Sequence, residues 1–371
     1  MAHDLFTVQE LVDAIVYSIS DSYAVRRQRI LSACALVSRS WVYPTQSLLF
    51  HEIHFHQNTP VAKPARWIGL KRTLEISPHL VHHIRRLHLY MGLLEDESIL
   101  SSICNFPFTH LEQVKGQFYG TMQIHHALDL GQLFSLSTVR QVSLNFTSSA
   151  EPQVLPRIFE RCSPACRDLE LTLGCSHPLL PNVRDAEVMT SIPLKTLRLP
   201  LFGSALDRGL LPFLSPFDLP HLKALSIDRT ANDSDIFWPE FYPVFNRLEF
   251  LSVCVMHAKT LDLSQFSNLS YLCISMEMDS ISQQDMARLL STMTSTHHIR
   301  ELRVWFNVIE PDLEVCTWVD AVMSTVGIPI VEVRVHEAGW IKFFPRLREK
   351  NLVLIVPPGR GWRWDDIIAT L

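Results

Sequence analysis

The stretch His51-Glu52-Ile53-His54-Phe55-His56 holds three imidazoles and a carboxylate within six residues. In an extended strand alternate side chains share a face, so His54 and His56 could approach one metal ion, with Glu52 the nearest third donor. Solvated or hydrogen-bonded histidines satisfy the same pattern, and no further ligand follows at metal-site spacing. The expectation is therefore no metal and no cofactor. The pairs His82–His83, His125–His126 and His297–His298 lack the i, i+4 spacing of helical metal sites. The cysteines, at 34, 104, 162, 166, 175, 254, 273 and 316, form no C-x-x-C pair and read as reduced thiols. No G-x-S-x-G, H-E-x-x-H or paired-carboxylate motif occurs, and the basic "GRGWRW" lacks the Lys-Ser/Thr of a phosphate loop. No catalytic residue is assigned, and the chain is not expected to be an enzyme.

Those residues sit in a chain of 371, of which 47% are hydrophobic and 19% charged, enough apolar material for a sizeable core. A formal net charge of −5 argues against a general nucleic-acid binder. No apolar run reaches the ~18–20 residues of a membrane helix, and "MAHDLFTVQE" has no basic stretch leading into an apolar one. The expected setting is cytoplasmic or nuclear, with neither nucleic acid nor membrane as a partner.

The element that must position these residues is a repeat. The form L-x-x-L-x-L recurs in "HIRRLHLYM", "LKTLRLPLF", "HLKALSIDR", "RLEFLSVCV", "NLSYLCISM" and "HIRELRVWF". Its first apolar position falls at Ile84, Leu111, Val139, Cys166, Leu194, Leu222, Leu248, Leu269, Ile299 and Ile330, in steps of 27, 28, 27, 28, 28, 26, 21, 30 and 31. One strand with one helix cannot bury its own apolar face, so such units stack and share a core. Helical patterns lie between the strands, at 153–162, 280–295 and 312–326. "LFHEIHFH" fits as a first rung, with Phe50, Ile53 and Phe55 in the apolar slots. The pattern resembles the leucine-rich-repeat family. Its usual Asn or Cys is replaced at Gly92, Thr147, Gly174, Phe202, Thr230, Met256 and Glu277, only Asn307 complies, and Gly116 stands where a leucine belongs. The expected fold class is α/β: a small all-α trio of helices over 1–50, then an irregular solenoid over 51–371 with parallel strands concave and helices convex. A C-terminal cap carrying Trp362 and Trp364 would close it. A Rossmann-type sheet is the alternative, but no G-x-G-x-x-G follows a strand.

The first fifty residues read as three short helices. Val8, Leu11, Ile15 and Ile19 form one stripe with Val12 and Val16 beside it; Ile30, Cys34, Val37 and Trp41 form another; Pro44 stands near the start of a third helix. "ELVDAIVYSI" followed by "LSACALVSRSWVYPTQSLLFHEIHF" resembles the F-box family: Glu10-Leu11, the Val37-Ser38-x-x-Trp41 block and the Leu48-Leu49-Phe50 close match, whereas Thr7 and Val8 stand in place of Leu-Pro. The resemblance implies the substrate receptor of a cullin–RING (SCF-type) ubiquitin ligase, docked on a Skp-family adaptor and holding a protein target. It implies adaptor contacts at Phe6, Val8, Leu11, Ile15, Leu31, Val37 and Trp41. The same apolar chemistry would serve the interior of a cap, and a non-catalytic repeat scaffold whose helices only cap the solenoid is the alternative function.

If the leucine slots point inward, slots three, five and seven line the opposite face. There Glu52, His54, His56, Arg86, His88 and Tyr90 come first, and a polar middle follows. Phe250, Tyr271 and Trp305 then fall on consecutive rungs, ringed by Glu301, Arg303 and Arg334. Aromatics ringed by charge suit a protein target, and a covering loop would bury them instead.

Overall fold

A short apolar strand presents hydrogen-bonding groups along both edges, and repeats of one strand satisfy them by pairing with each other. In the computed structural model they do so in parallel, which requires a crossover between every pair of strands. The structure describes residues 3–19, 24–55, 63–92, 97–120, 122–147, 154–173, 192–199, 217–227, 241–254, 261–277, 288–292, 299–307, 313–325, 330–335 and 338–355. The chain forms two compact units, Met1–Cys166 and Arg167–Leu371. Among the described residues no helix is long and apolar enough to cross a membrane.

In the first unit three helices, α1 (His3–Ile19), α2 (Ala24–Cys34) and α3 (Arg39–Leu49), precede four strands, β1 (Glu52–Phe55), β2 (Arg86–Gly92), β3 (Gln113–Tyr119) and β4 (Gln141–Phe146). The strands pair in sequence order, all parallel. Helices α4 (Lys63–Ile76), α5 (Glu97–Cys104) and α6 (Ile124–Phe134) make the crossovers, and α7 (Val154–Phe159) follows β4. The second unit repeats the scheme with β5 (Asp168–Leu173), β6 (Thr196–Arg198), β7 (Ala224–Ile227), β8 (Phe250–Cys254), β9 (Tyr271–Glu277), β10 (Glu301–Asn307), β11 (Ile330–Val335) and β12 (Val353–Ile355), again parallel and in order. The expected helices at 153–162 and 312–326 are present as α7 and Leu313–Thr325. Most of 280–295 lies outside the described residues, as do Trp362 and Trp364.

One device sets the step between rungs. Before β1, β2, β3 and β5 to β9, the preceding carbonyl accepts two consecutive N–H groups from the next rung. His51 O takes Arg85 N and Arg86 N at 2.9 and 3.0 Å, and Arg85 O takes Glu112 N and Gln113 N at 2.8 and 3.0 Å. The second unit repeats it from Arg167 O through Lys195, Lys223, Glu249 and Ser270. Side chains at the same position add ion pairs, Arg85–Glu112 at 2.9 Å and Lys223–Glu249 at 2.6 Å. This pairing sets Ile330 opposite Glu301, the third residue of its rung. The last repeat therefore starts two residues earlier than the sequence step of 31 implies. The even shift keeps Glu332 and Arg334 in one row and Val333 and Val335 in the other, as expected, but it moves Ile330, read as an inward slot, into the outward row of Glu301.

The first rung's Ile53 and Phe55 are half-buried, and further along the inward slots are buried as the pattern requires: Leu87, Leu89, Val142, Leu144, Leu251, Val253, Leu302 and Val304 are all at most 1% exposed. Gly116 is the informative departure. A Cβ there would strike the Phe118 ring edge and approach Leu144 Cδ2 at 3.1 Å. Phe118, buried and stacked on Phe146 at 5.6 Å, fills the volume a leucine would have taken. The missing Asn ladder is also partly replaced, because Thr147 donates both its N–H and its Oγ1–H to Phe118 O, at 3.1 and 3.0 Å. Near the chain's end, buried Asp320 accepts from the N–H groups of Arg346 and Leu347 at 3.1 and 2.9 Å, and so caps the helix Pro345–Glu349.

Candidate functional site

The N-terminal trio closes on a small core. Val12 and Val16 of α1 and Leu31 of α2 are buried, and Ile19, Trp41, Leu48 and Leu49 pack against them. Leu31 and Trp41, expected at a partner surface, thus belong wholly or partly to the trio's interior. The stripes also differ from those expected. α1 buries Val12 and Val16 and leaves Leu11 and Ile15 exposed, at 64% and 40%. The second stripe assumed one helix through Val37. α2 ends at Cys34, a turn follows, and Val37 is 67% exposed there, beside Leu36 at 88%. Phe6 and Val8 lie on α1, and their side chains are outside the described part.

Pro44 lies inside α3 rather than at its start. A proline cannot donate to the carbonyl four residues back, here Ser40 O. Gln9 Nε2 of α1 reaches that carbonyl at 3.4 Å while also donating to Asp13 Oδ1 at 2.9 Å. The defect in α3 thereby becomes a point of attachment for α1. Tyr43, 72% exposed, sets its ring edge-on to His83 at 5.1 Å and ties the trio to the turn before β2.

The second surface is the strand face opposite the leucine slots. In the first unit it is polar: Gln113 Nε2 donates to Gln141 Oε1 at 2.6 Å across adjacent rungs. At its start β1 and β2 pair so that His54 faces His88. Both Nε2 atoms lie 3.0 Å from Glu52 Oε1, and the ring centroids are 4.3 Å apart. Hydrogen bonds from His54 and then His88 hold the Glu52 carboxyl far below the usual carboxylate range. Burial, with Arg86 adding to it, holds His51 below the ordinary imidazole value. His56, the sequence-based partner of His54, lies outside the described residues. His88 was legible as a residue of this face, but its meeting with His54 depends on the step from the first rung to the second.

The second unit differs. Strands β7 and β8 are buried on both faces, Ala224–Ile227 and Phe250–Cys254 throughout. Phe250 is 3% exposed, so it is a core residue and not part of an open aromatic surface. "ALSI" and "FLSVC" are the near-continuous apolar runs of doubly covered strands. Tyr271 faces Glu301, and Trp305 faces Ser275 and Arg334. Trp305 therefore sits four residues, about 13 Å, along the strands from Tyr271's row, too far for one aromatic cluster. Both rings are half-buried. Arg303 Nε lies against Glu301 and 3.1 Å from Glu332 Oε2, so these charges engage one another. Arg334 sits on β11, and its side chain is outside the described part.

Of the other clusters raised by the sequence, His125–His126 and the group Cys162, Cys166 and Cys175 lie at least partly among the described residues. Buried His126 accepts from Gln123 N–H at 3.2 Å and lies 3.1 Å from His125, a cap for α6. Cys162 and Cys166 are buried in the core, Cys175 lies outside the described residues, and burial pushes the Cys104 thiol up. His297 and His298 are also outside them. Comparison of the chain with protein-family models finds no match, and comparison with curated proteins finds none.

Proposed function

We propose that the chain is the substrate receptor of a cullin–RING ubiquitin ligase, with the N-terminal trio acting as an F-box on a Skp-family adaptor. The rungs, as an irregular leucine-rich-repeat domain, would hold a protein target. The observation that carries this reading is the exposure of Leu11, Ile15, Leu36 and Val37 on a trio that already has its own core. Large apolar side chains left at 40–88% exposure on so small a unit suit burial by a partner. Fully burying one such side chain is worth about 1.5–3 kcal/mol. The placement of the trio directly before the first rung, and the Val37-Ser38-x-x-Trp41 block, agree with it. Half-buried Tyr271 and Trp305, with Glu301, Arg303 and Arg334 beside them, are the proposed target-facing residues of the second unit. The role is one of binding rather than catalysis, and the proposed compartment is the cytoplasm or nucleus.

The test is co-expression with the Skp-family adaptor, comparing wild type with a Leu11→Asp, Val37→Asp double variant. Both positions lie outside the trio's core, so the variant is expected to stay folded. A stoichiometric complex that the variant loses supports the receptor. A well-folded wild type that takes up no adaptor removes it. One observation favours a second reading, a non-catalytic repeat scaffold with a helical cap: Tyr43 packs edge-on against His83, as a cap would. That reading expects the wild type to be indifferent to the adaptor.

A further inference from the structure

We propose that Glu52, His54 and His88 form a zinc-binding site on the first two rungs. The inference is independent of the adaptor reading. It stands on how parallel pairing assembles the three donors. His54 and His88 are register partners on adjacent strands, and Glu52, two residues before His54, points to the same face. The backbone ladder that holds β1 to β2 also holds the donors, so no loop has to order itself around an ion.

The spacing suits a small ion. Zinc binds imidazole nitrogen and carboxylate oxygen at about 2.0–2.2 Å in tetrahedral geometry, which sets neighbouring donors roughly 3.3–3.5 Å apart. Here each Nε2 is 3.0 Å from Glu52 Oε1, and the three donor atoms all lie within 4.8 Å of one another. Coordination would need the carboxylate to withdraw by a few tenths of an ångström and the two Nε2 atoms to settle about 3.3–3.5 Å apart. Each imidazole would then coordinate through Nε2 and carry its proton on Nδ1.

The donor types select the metal. Two imidazoles and one carboxylate suit zinc and its borderline neighbours, whereas magnesium and calcium prefer all-oxygen shells. Burial is graded across the site. The His88 side chain is 10% exposed, Glu52 24% and His54 42%, so the site opens on the His54 side. A fourth position there is accessible to water or to a donor from a bound molecule. The charge balance is modest. One carboxylate faces the ion, while Arg86 lies opposite Glu52 and Lys115 opposite His88. Reversible binding of moderate strength is expected, not a structural zinc on which folding depends.

The experiment titrates chelator-stripped full-length chain with zinc alone by calorimetry, and with cobalt(II) by visible absorption. Wild type is expected to bind one equivalent and to give the intense absorption of tetrahedral cobalt. His54→Asn, at the exposed edge, is expected to weaken zinc binding at least tenfold without changing the melting temperature. The His54→Asn, His88→Asn double variant is expected to abolish the site. Glu52→Gln keeps an acceptor for both imidazoles and loses the charge, and it serves as the check should His88→Asn fail to fold. No saturable binding by wild type overturns the proposal. So does an affinity in the His54→Asn and Glu52→Gln variants equal to wild type, which would assign the zinc to other histidines.

Discussion

The N-terminal trio and the rungs solve the burial of apolar residues in opposite ways. In the rungs inward slots such as Leu87, Val142, Leu251 and Leu302 are buried, and even a vacancy, at Gly116, is filled by Phe118 from two residues further on. In the trio three buried residues anchor the core while Leu11, Ile15, Leu36 and Val37 stay exposed. Stacking is a complete solution because each unit supplies the next unit's missing half. The trio is not part of that stack, and Leu11, Ile15, Leu36 and Val37 remain on its surface.

That contrast can be broken most forcefully in the rungs. Leu144→Ala removes a fully buried side chain of β4 that packs beside Gly116 of β3 and is expected to destabilise by about 2–5 kcal/mol, read by chemical denaturation. Gly116→Ala adds a single methyl where Phe118 already sits and is expected to cost about 1–3 kcal/mol. A neutral outcome would mean that the Phe118 ring moves aside and that the rung is looser than its burial implies. In the trio the exposed Leu11→Asp change is expected to stay within about 0.5 kcal/mol of wild type while removing adaptor binding. A large loss of stability there would erase the contrast, because Leu11 would then be core.

The smallest expected effect is at Asp168. Burial raises its carboxyl pKa, and the hydrogen bond from Thr196 Oγ1 at 2.8 Å, with Lys195 and Arg167, opposes the rise. A carboxyl raised in the folded state costs stability while ionised, and the cost fades as pH falls through the folded pKa. Asp168→Asn is therefore expected to be slightly more stable than wild type near neutrality and to lose that margin in acid. Thermal melts at the two pH values check the sign.

The repeat was legible because strand side chains alternate and the step is written into ten successive apolar positions. The polar face of the first unit was legible for the same reason. The open aromatic patch was not, because alternation tells which residues share a face and says nothing of whether that face is covered. Phe250 alternates correctly and is buried all the same. In the trio the spacing of Ile30, Cys34, Val37 and Trp41 suited one helix, and only the turn after Cys34 separates Val37 from the core.

Local pattern in this chain determined which residues form strands, which side of each strand faces the leucine core, and where the helices precede the rungs. Those follow from periodicity and from the need of each backbone group for a partner. Tertiary structure decided what no single segment contains: that Phe118 of the Gly116 rung stacks on Phe146 of the next, that Gln9 answers the carbonyl left by Pro44, and that His88 arrives beside Glu52 and His54. Each joins residues far apart in sequence, and in the rungs the join depends on the step from one strand to the next. Hydrogen bonding across neighbouring rungs sets that step, and the side chains within one rung do not.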